Sequence, residues 1–317
     1  MTTLTHDTPV VRQTLATSGL VLAVVSATAF GLSGALAKGL LEAGWSTGAA
    51  VTARVGLAAL VLVGPALVAL RGRWELLGRN ALLLLAYGGI AVAGCQLAYF
   101  NAVARMQVGP ALLIEYTAPV AVVVWLWLRY DHRPGRQTLA GALLAGVGLV
   151  LVLDLVAGAQ VSAAGIAWAL AAMLGAAYYF VLSAQHDNGL PPLVLAAGGL
   201  VTGSLLLLAA GVAGVVPLRF ATAPVHYTAG TVPWWVPVLA LGVVTAAIAY
   251  TAGIAAGRRL GSRLASFVAL TEVLAALAFA WLLLGELPRP VQAVGGLLIL
   301  AGVVVVKLGE SPATAPR

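Results

Sequence analysis

Charged side chains are scarce in this sequence, and the few that fall inside apolar stretches are where chemistry must be sought. Arg54, Glu115 and Glu272 each stand within a run of aliphatic and small residues. A charge at the centre of a bilayer costs roughly 2.5 to 3.5 kcal/mol on insertion scales, so each needs a compensating role. Glu115 lies one turn before Pro119, whose ring removes a backbone hydrogen bond and opens a kink. Apolar surroundings favour an uncharged carboxyl, so Glu115 can carry a proton or partner a substrate amine; its competing role is a structural pair with Arg54. Arg54 stays ionised, and its planar donors suit a substrate carboxylate as well as a glutamate, the alternative being that it snorkels to the surface. Glu272 has Ala275 and Ala276 on its face, which leaves room either for a ligand or for a packed helix. Lys38, near the end of the first apolar run, fits snorkelling better than chemistry.

Aromatic and amide groups supply a second set. Gln96 and Tyr99 sit one turn apart, with Gly89 and Ala93 continuing the stripe, and Trp168, Ala172, Gly175 and Tyr179 repeat the arrangement later, with Tyr250 a further aromatic. Small residues with an amide and phenols suit a cavity wall, and the same pattern suits close helix packing. The candidate substrate-binding set is therefore Arg54, Gln96, Tyr99, Glu115, Trp168, Tyr179, Tyr250 and Glu272, with Glu115 also the candidate for proton coupling.

Enzymatic patterns are absent from the sequence. The histidines, His6, His132, His186 and His226, fall in loops or the tail, and there is no HExxH, phosphate loop or nucleophile elbow. Cys95 is the single cysteine, so neither an intramolecular disulfide nor a cysteine metal site can be assembled. No catalytic residue, metal or cofactor is expected, and ATP is excluded as a direct energy source.

The elements that must position these groups follow from composition. The chain is 62% hydrophobic and 9% charged, with a mean hydropathy of +1.03, whereas a soluble domain carries about a quarter of its residues as charges. A helix needs about twenty apolar residues to cross the hydrocarbon core. Ten segments qualify: 19–41, 47–70, 81–103, 110–128, 138–155, 164–184, 193–213, 233–256, 264–284 and 291–306. They are continuously apolar, which argues against a β-barrel, and the polar residues 1–17 do not form a signal peptide. The expected fold is an all-α integral membrane protein of ten transmembrane helices.

A net charge of +7 and a pI of 10.0 report topology rather than nucleic-acid binding. With a cytoplasmic N-terminus, the inside segments hold Arg12, Arg71, Arg73, Arg79, Arg129, Arg133, Arg136, Arg258, Arg259, Arg263, Lys307 and Arg317. The outside loops hold only Arg105, Arg219 and Arg289, so both termini are expected in the cytoplasm. Trp45, Trp74, Tyr130, Trp234 and Trp235 stand near span ends as interface anchors.

The halves of the chain also match each other. At an offset of 154 residues, Arg105 pairs with Arg259, Ala111 with Ala265, Trp127 with Trp281, Leu128 with Leu282, Pro134 with Pro288, Gly141 with Gly295 and Gly148 with Gly302. Halves with an odd number of spans insert in opposite senses, an architecture of transporters with the substrate near the midplane. The expected organisation is a cytoplasmic tail at 1–17, a first five-helix repeat at 18–156, a second at 157–308, and a cytoplasmic tail at 309–317.

The residues from Gly109 through Glu115 and Pro119 to Val120 form a short turn, small residues, an apolar run and a proline; their second-half counterpart runs from Leu260 to Ser266 through Thr271 and Glu272 to Gly285 and Glu286. With Arg54 in the second span, this pattern resembles the EamA-type branch of the drug/metabolite transporter superfamily over nearly the whole chain. The stretch from Glu115 to Pro119 is most similar to that of threonine/homoserine exporters. Where the family usually has proline after the glutamate of span nine, this chain has Val273. The resemblance implies a secondary transporter in the inner membrane, exporting amino acids or similar small metabolites by alternating access, with protons the candidate coupling ion. An importer or passive facilitator is the rival within transport, and a membrane-embedded enzyme or a structural membrane subunit the rivals outside it.

Overall fold

The computed structural model describes residues 9–103, 105, 111, 114–131, 134–152, 162–185, 187–285 and 289–309. Pro110 and Leu155 at the expected span ends, the divide at 156–157, the outer parts of both tails, and Arg133, Glu286, Pro288 and Arg317 lie outside the described residues. The helices are α1 (Pro9–Glu42), α2 (Thr47–Leu70), α3 (Glu75–Arg79), α4 (Ala81–Ala86), α5 (Cys95–Val103), α6 (Ala118–Tyr130), α7 (Arg136–Val152), α8 (Ala163–Ser183), α9 (Pro192–Val212), α10 (Trp235–Gly242), α11 (Ala249–Ala269), α12 (Thr271–Leu284) and α13 (Pro290–Gly309). Among the described residues, six helical stretches are long and apolar enough to cross a membrane: Thr17–Glu42, Thr47–Leu70, Ala81–Ala102, Ala163–Ser183, Pro192–Val212 and Trp235–Ala269. Four shorter apolar helices accompany them: Ala118–Tyr130, Arg136–Leu151, Thr271–Leu284 and Ala293–Val306. Large apolar side chains such as Leu60, Val68, Leu82, Leu128 and Val212 point outward and are exposed, the surface that hydrocarbon rather than water demands.

Helix starts follow sequence chemistry. Ser46 and Ser162 accept hydrogen bonds from the amides of Ala49 and Gly165, at 3.2 and 2.9 Å, and so start α2 and α8. The loop before α10 folds into a hairpin, β1 (Val225–Tyr227) against β2 (Gly230–Val232), with Val225 opposite Val232. It turns through Gly230 at φ 132°, a conformation open to glycine. The Tyr227 hydroxyl donates to Leu36 O at 3.1 Å, and the Thr228 amide and hydroxyl donate to Leu283 O at 2.8 and 3.0 Å. The hairpin thereby straps the end of α1 to the end of α12.

The helices that matter most are interrupted. π-Helical turns at Tyr87–Gly94 and Val243–Ile248 splice α4 to α5 and α10 to α11; such wide turns break the regular ladder and often mark functional positions. Gly261, at φ 79° and ψ 162°, kinks the chain inside α11, so the eighth and ninth expected spans meet there. The chain breaks again before α6 and before α12. Thr117 Oγ1 donates to Ile114 O at 2.6 Å and Thr271 Oγ1 donates to Val268 O at 2.8 Å. Each hydroxyl caps a carbonyl three residues back, a local bond that competes with helix continuation. The second break forms without a proline, because the threonine hydroxyl and not the ring supplies the alternative bond.

These breaks fall at the 154-residue offset found in the sequence: 271 − 117 and 268 − 114 both equal 154. The left-handed caps Asp131 (φ 52°) and Gly285 (φ 72°) obey the same offset. Packing does so too. A Cβ on Gly141 would stand 2.6 Å from Gly302 O, and one on Gly148 would stand 2.5 Å from Gly295 O. Adding 154 to each residue of the first half turns one crossing point into the other, as a two-fold relation between α7 and α13 requires. Elsewhere α2 packs on α9, α1 on α11 and α12, and α5 on α8. A large buried cluster, including Val51, Val55, Tyr87, Leu195, Leu200 and Ile254, lies among α2, α8, α9, α11 and the two π-turns.

Candidate functional site

A cavity of ≈ 100 Å³ lies where the two broken spans approach α1 and α8. α1 lends it Ala23, Ser26, Ala27 and Phe30, a stripe at i, i+3, i+4 and i+7 that is one face of a helix. α8 lends Ala176, Tyr179 and Phe180, and α11 lends Tyr250, Gly253 and Ala256. The breaks bring the carboxyls. Glu115 lies two residues before Thr117 and Glu272 one residue after Thr271, and both face the cavity with Gln96 and Tyr116. The residues related to the glutamates by the offset are Ala269 and Ala118, which line the cavity as well. The acidic groups are therefore where the two halves differ.

Of the residues singled out from sequence, Gln96, Glu115, Tyr179, Tyr250 and Glu272 come together around this cavity. Arg54 stands behind its wall, 2% exposed. It donates from Nη1 to Gln96 Oε1 and from Nη2 to Thr245 O, both at 2.6 Å, and its guanidinium lies 5.7 Å from the Phe30 ring centroid. Both acceptors belong to the interrupted spans, so Arg54 ties the two π-helical regions together. Arg54 Nε has no hydrogen-bond partner among the described residues. Tyr99 packs edge-on against Phe100 at 5.8 Å and is not a cavity residue. Trp168 is exposed, with the Arg105 guanidinium 5.9 Å from its ring, and lies away from the cavity.

The stripes divide between the two roles foreseen for them. Ala172 and Gly175 serve packing: Ala172 O accepts from the Cys95 thiol at 3.4 Å, and a Cβ on Gly175 would stand 2.7 Å from Cys95 Cβ. Ala275 and Ala276 likewise meet Gly31 of α1, whose added Cβ would lie 2.8 Å from Ala275 Cβ and 2.9 Å from Glu272 O. That close approach holds the first turn of α12, and with it Glu272, against α1. Gly253 leaves space for the Tyr179 hydroxyl, which a Cβ there would strike.

Sequence reasoning missed several members of the site. Ser26 and Phe30 carry no charge and sit in an unremarkable apolar run, yet Ser26 Oγ donates to Ala249 O at 2.8 Å and Phe30 contacts Tyr250 at 5.1 Å and Tyr179 at 6.5 Å between ring centroids. Cys95 reads as a small buried hydrophobe, but its thiol faces Glu115 Oε1 at 4.0 Å. Tyr116 adjoins the Glu272 carboxyl. The available signal was position: each lies within a turn of a helix break or on the helix face opposite one.

Known proteins resemble this chain in sequence and in fold. The EamA-like transporter family matches residues 17–154 and again residues 163–308. A relative named as a probable terminal-alkyne amino-acid exporter, from Streptantibioticus cattleyicolor, is 32% identical over 209 residues, 64% of this chain and 65% of that protein. The chain thus matches just under two thirds of that relative's length. A crystal structure of a protein 20% identical in sequence has the same fold, with a TM-score of 0.70 over 93% of this chain and 98% of that one.

Proposed function

The chain belongs to the EamA-like transporter family, and from that premise we propose that it exports amino acids or related small metabolites across the inner membrane by alternating access between two inverted five-helix halves. The observation that carries the proposal is the cavity at the two helix breaks, with Glu115 and Glu272 on its wall and unequal residues at the matching positions. Helix breaks at a repeat interface release backbone groups and side chains for a ligand while the helices stay packed. The matching breaks, left-handed caps and glycine crossings support the paired halves, and the four shorter apolar helices bring the proposed number of spans to ten. The relative named for amino-acid export supports that substrate class.

Glu115 is the proposed proton carrier. One charge crossing about 100 mV supplies roughly 2.3 kcal/mol, enough to hold a gradient of about fifty-fold. Gln96, Tyr179, Tyr250 and Glu272 contact the substrate, and Arg54 sets the position of Gln96. The test is flux in proteoliposomes with and without an imposed pH gradient. Glu115→Gln is expected to abolish gradient-driven accumulation while exchange of substrate for substrate survives. Wild-type flux that ignores the gradient would make the protein a facilitator, and accumulation by Glu115→Gln would move the proton site, with Glu272 next in line.

A further inference from the structure

The charges on the cavity wall are one-sided. Glu115 and Glu272 both line it, and among the described residues no lysine or arginine does. Arg54 is the nearest cation, but both its terminal nitrogens are committed, one to the Gln96 amide oxygen and one to the Thr245 carbonyl, each at 2.6 Å. The wall also carries aromatic rings. Phe30, Tyr179 and Tyr250 meet edge to face, with Tyr179 to Tyr250 at 5.6 Å and Tyr179 to Phe180 at 5.1 Å between ring centroids. Ring faces attract an ammonium group most strongly where water is excluded. Tyr179 is 8% exposed and lines the cavity; its hydroxyl lies near the Ser26 and Ser183 hydroxyls, and among the described residues it makes no hydrogen bond of good geometry. A buried hydroxyl without a partner is costly, and a ligand donor or acceptor in the cavity would satisfy it.

We propose that the cavity recognises its substrate through a protonated amine, seated between the Glu115 and Glu272 carboxyls and the rings of Phe30, Tyr179 and Tyr250, and that a substrate carboxylate is dispensable. This rests on the cavity being the substrate site of the transporter. A carboxylate entering the same space would meet two carboxyls, and Arg54, which stands behind the wall with Nη1 on Gln96 and Nη2 on Thr245, does not line it. The remaining wall is built of small residues such as Ala23, Ala27 and Ala176, which suits a short aliphatic tail. The preferred ligands are therefore small primary amines and amino-acid amides, with free amino acids bound through the same amine.

The test measures equilibrium binding of radiolabelled isoamylamine to the purified full-length protein, competed by L-leucinamide, L-leucine and isovalerate, with L-leucine flux in proteoliposomes followed in parallel. Isoamylamine is expected to bind and L-leucinamide to displace it at least as well as L-leucine, while isovalerate does not compete. Glu272→Gln is expected to weaken amine binding about tenfold or more, the loss of one hydrogen bond to a charged group, with unchanged melting behaviour. Absence of amine binding, competition by isovalerate, or full binding by a folded Glu272→Gln variant each overturns amine recognition. L-leucine flux without amine binding sinks amine recognition and leaves transport standing; amine binding without any flux does the reverse.

Discussion

At the scale of single residues, Arg54 shows how a buried charge becomes a structural tie. Its donors reach acceptors on two different interrupted spans, and its flat face stacks near Phe30. Lysine offers a compact point charge that cannot bridge both acceptors in that plane. Arg54→Lys is therefore expected to lower stability by about 1.5 to 3 kcal/mol, the worth of a hydrogen bond to a charged group, and to reduce flux through misplacement of Gln96. Thermal unfolding in detergent and proteoliposome flux check the two parts separately. Unchanged melting together with unchanged flux would show that the bonds to Gln96 and Thr245 are not needed to hold the two spans together. Gly253 gives a contrasting case, because its effect is steric. A Cβ there would collide with the Tyr179 hydroxyl and approach Ser26 Oγ to 2.8 Å. Gly253→Ala is expected to displace Tyr179 and cost 1 to 3 kcal/mol, about the usual range for overpacking, and Tyr179→Phe in the same background should recover part of the loss. A double-mutant thermal-melt cycle measures the coupling; purely additive effects would exclude the contact.

At the scale of elements, the interrupted helices decide which side chains can meet. The sequence makes the spans legible because hydropathy is a property of windows, and the offset of 154 is legible because Trp, Pro and Gly recur at it. The π-turns and the break before α12 are not legible in the same way. The break before α12 depends on one hydroxyl winning a carbonyl from the helix ladder, as Thr271 does from Val268, and a threonine in an apolar run is ordinarily silent; the first π-turn has no serine or threonine at all. Glu115 and Glu272 stand out as lone charges, whereas Ser26, Phe30 and Tyr116 become site residues only through the approach of distant helices. Trp168 shows the converse: it shares a helical stripe with Tyr179, yet the stripe turns it outward. The crossing of α7 and α13 gives a prediction at this scale. Gly148 and Gly302 occupy related positions, each with backbone of the partner helix less than a carbon's width away. Gly148→Val and Gly302→Val are expected to destabilise by similar amounts, because each wedges the same pair of helices apart at a related point. Melting curves of the two variants test this, and a large inequality would break the two-fold relation.

At the scale of the whole molecule, the polar ends of the helices sort into two faces. On one, the Arg258 guanidinium bonds Leu190 O, and the Asn80 amide donates to Asn188 O at 3.0 Å and Leu76 O at 2.8 Å. This face gathers Arg71, Arg73, Arg79, Arg258, Arg259 and Arg263. On the other, Ser46 Oγ donates to Pro217 O at 2.7 Å, the Trp45 indole donates to Ala221 O at 2.7 Å, and the hairpin straps α1 to α12. Basic loops are retained on the cytoplasmic side during insertion. The arginine-rich face is therefore expected inside and the hairpin outside. Single cysteines test this once the native thiol is removed, so Cys95→Ala serves as the background. Gly72→Cys is expected to resist an impermeant thiol reagent in intact cells and to react after permeabilisation, whereas Ala229→Cys, at the hairpin turn, reacts in both. Labelling of Gly72→Cys in intact cells, with Ala229→Cys protected, would invert the molecule.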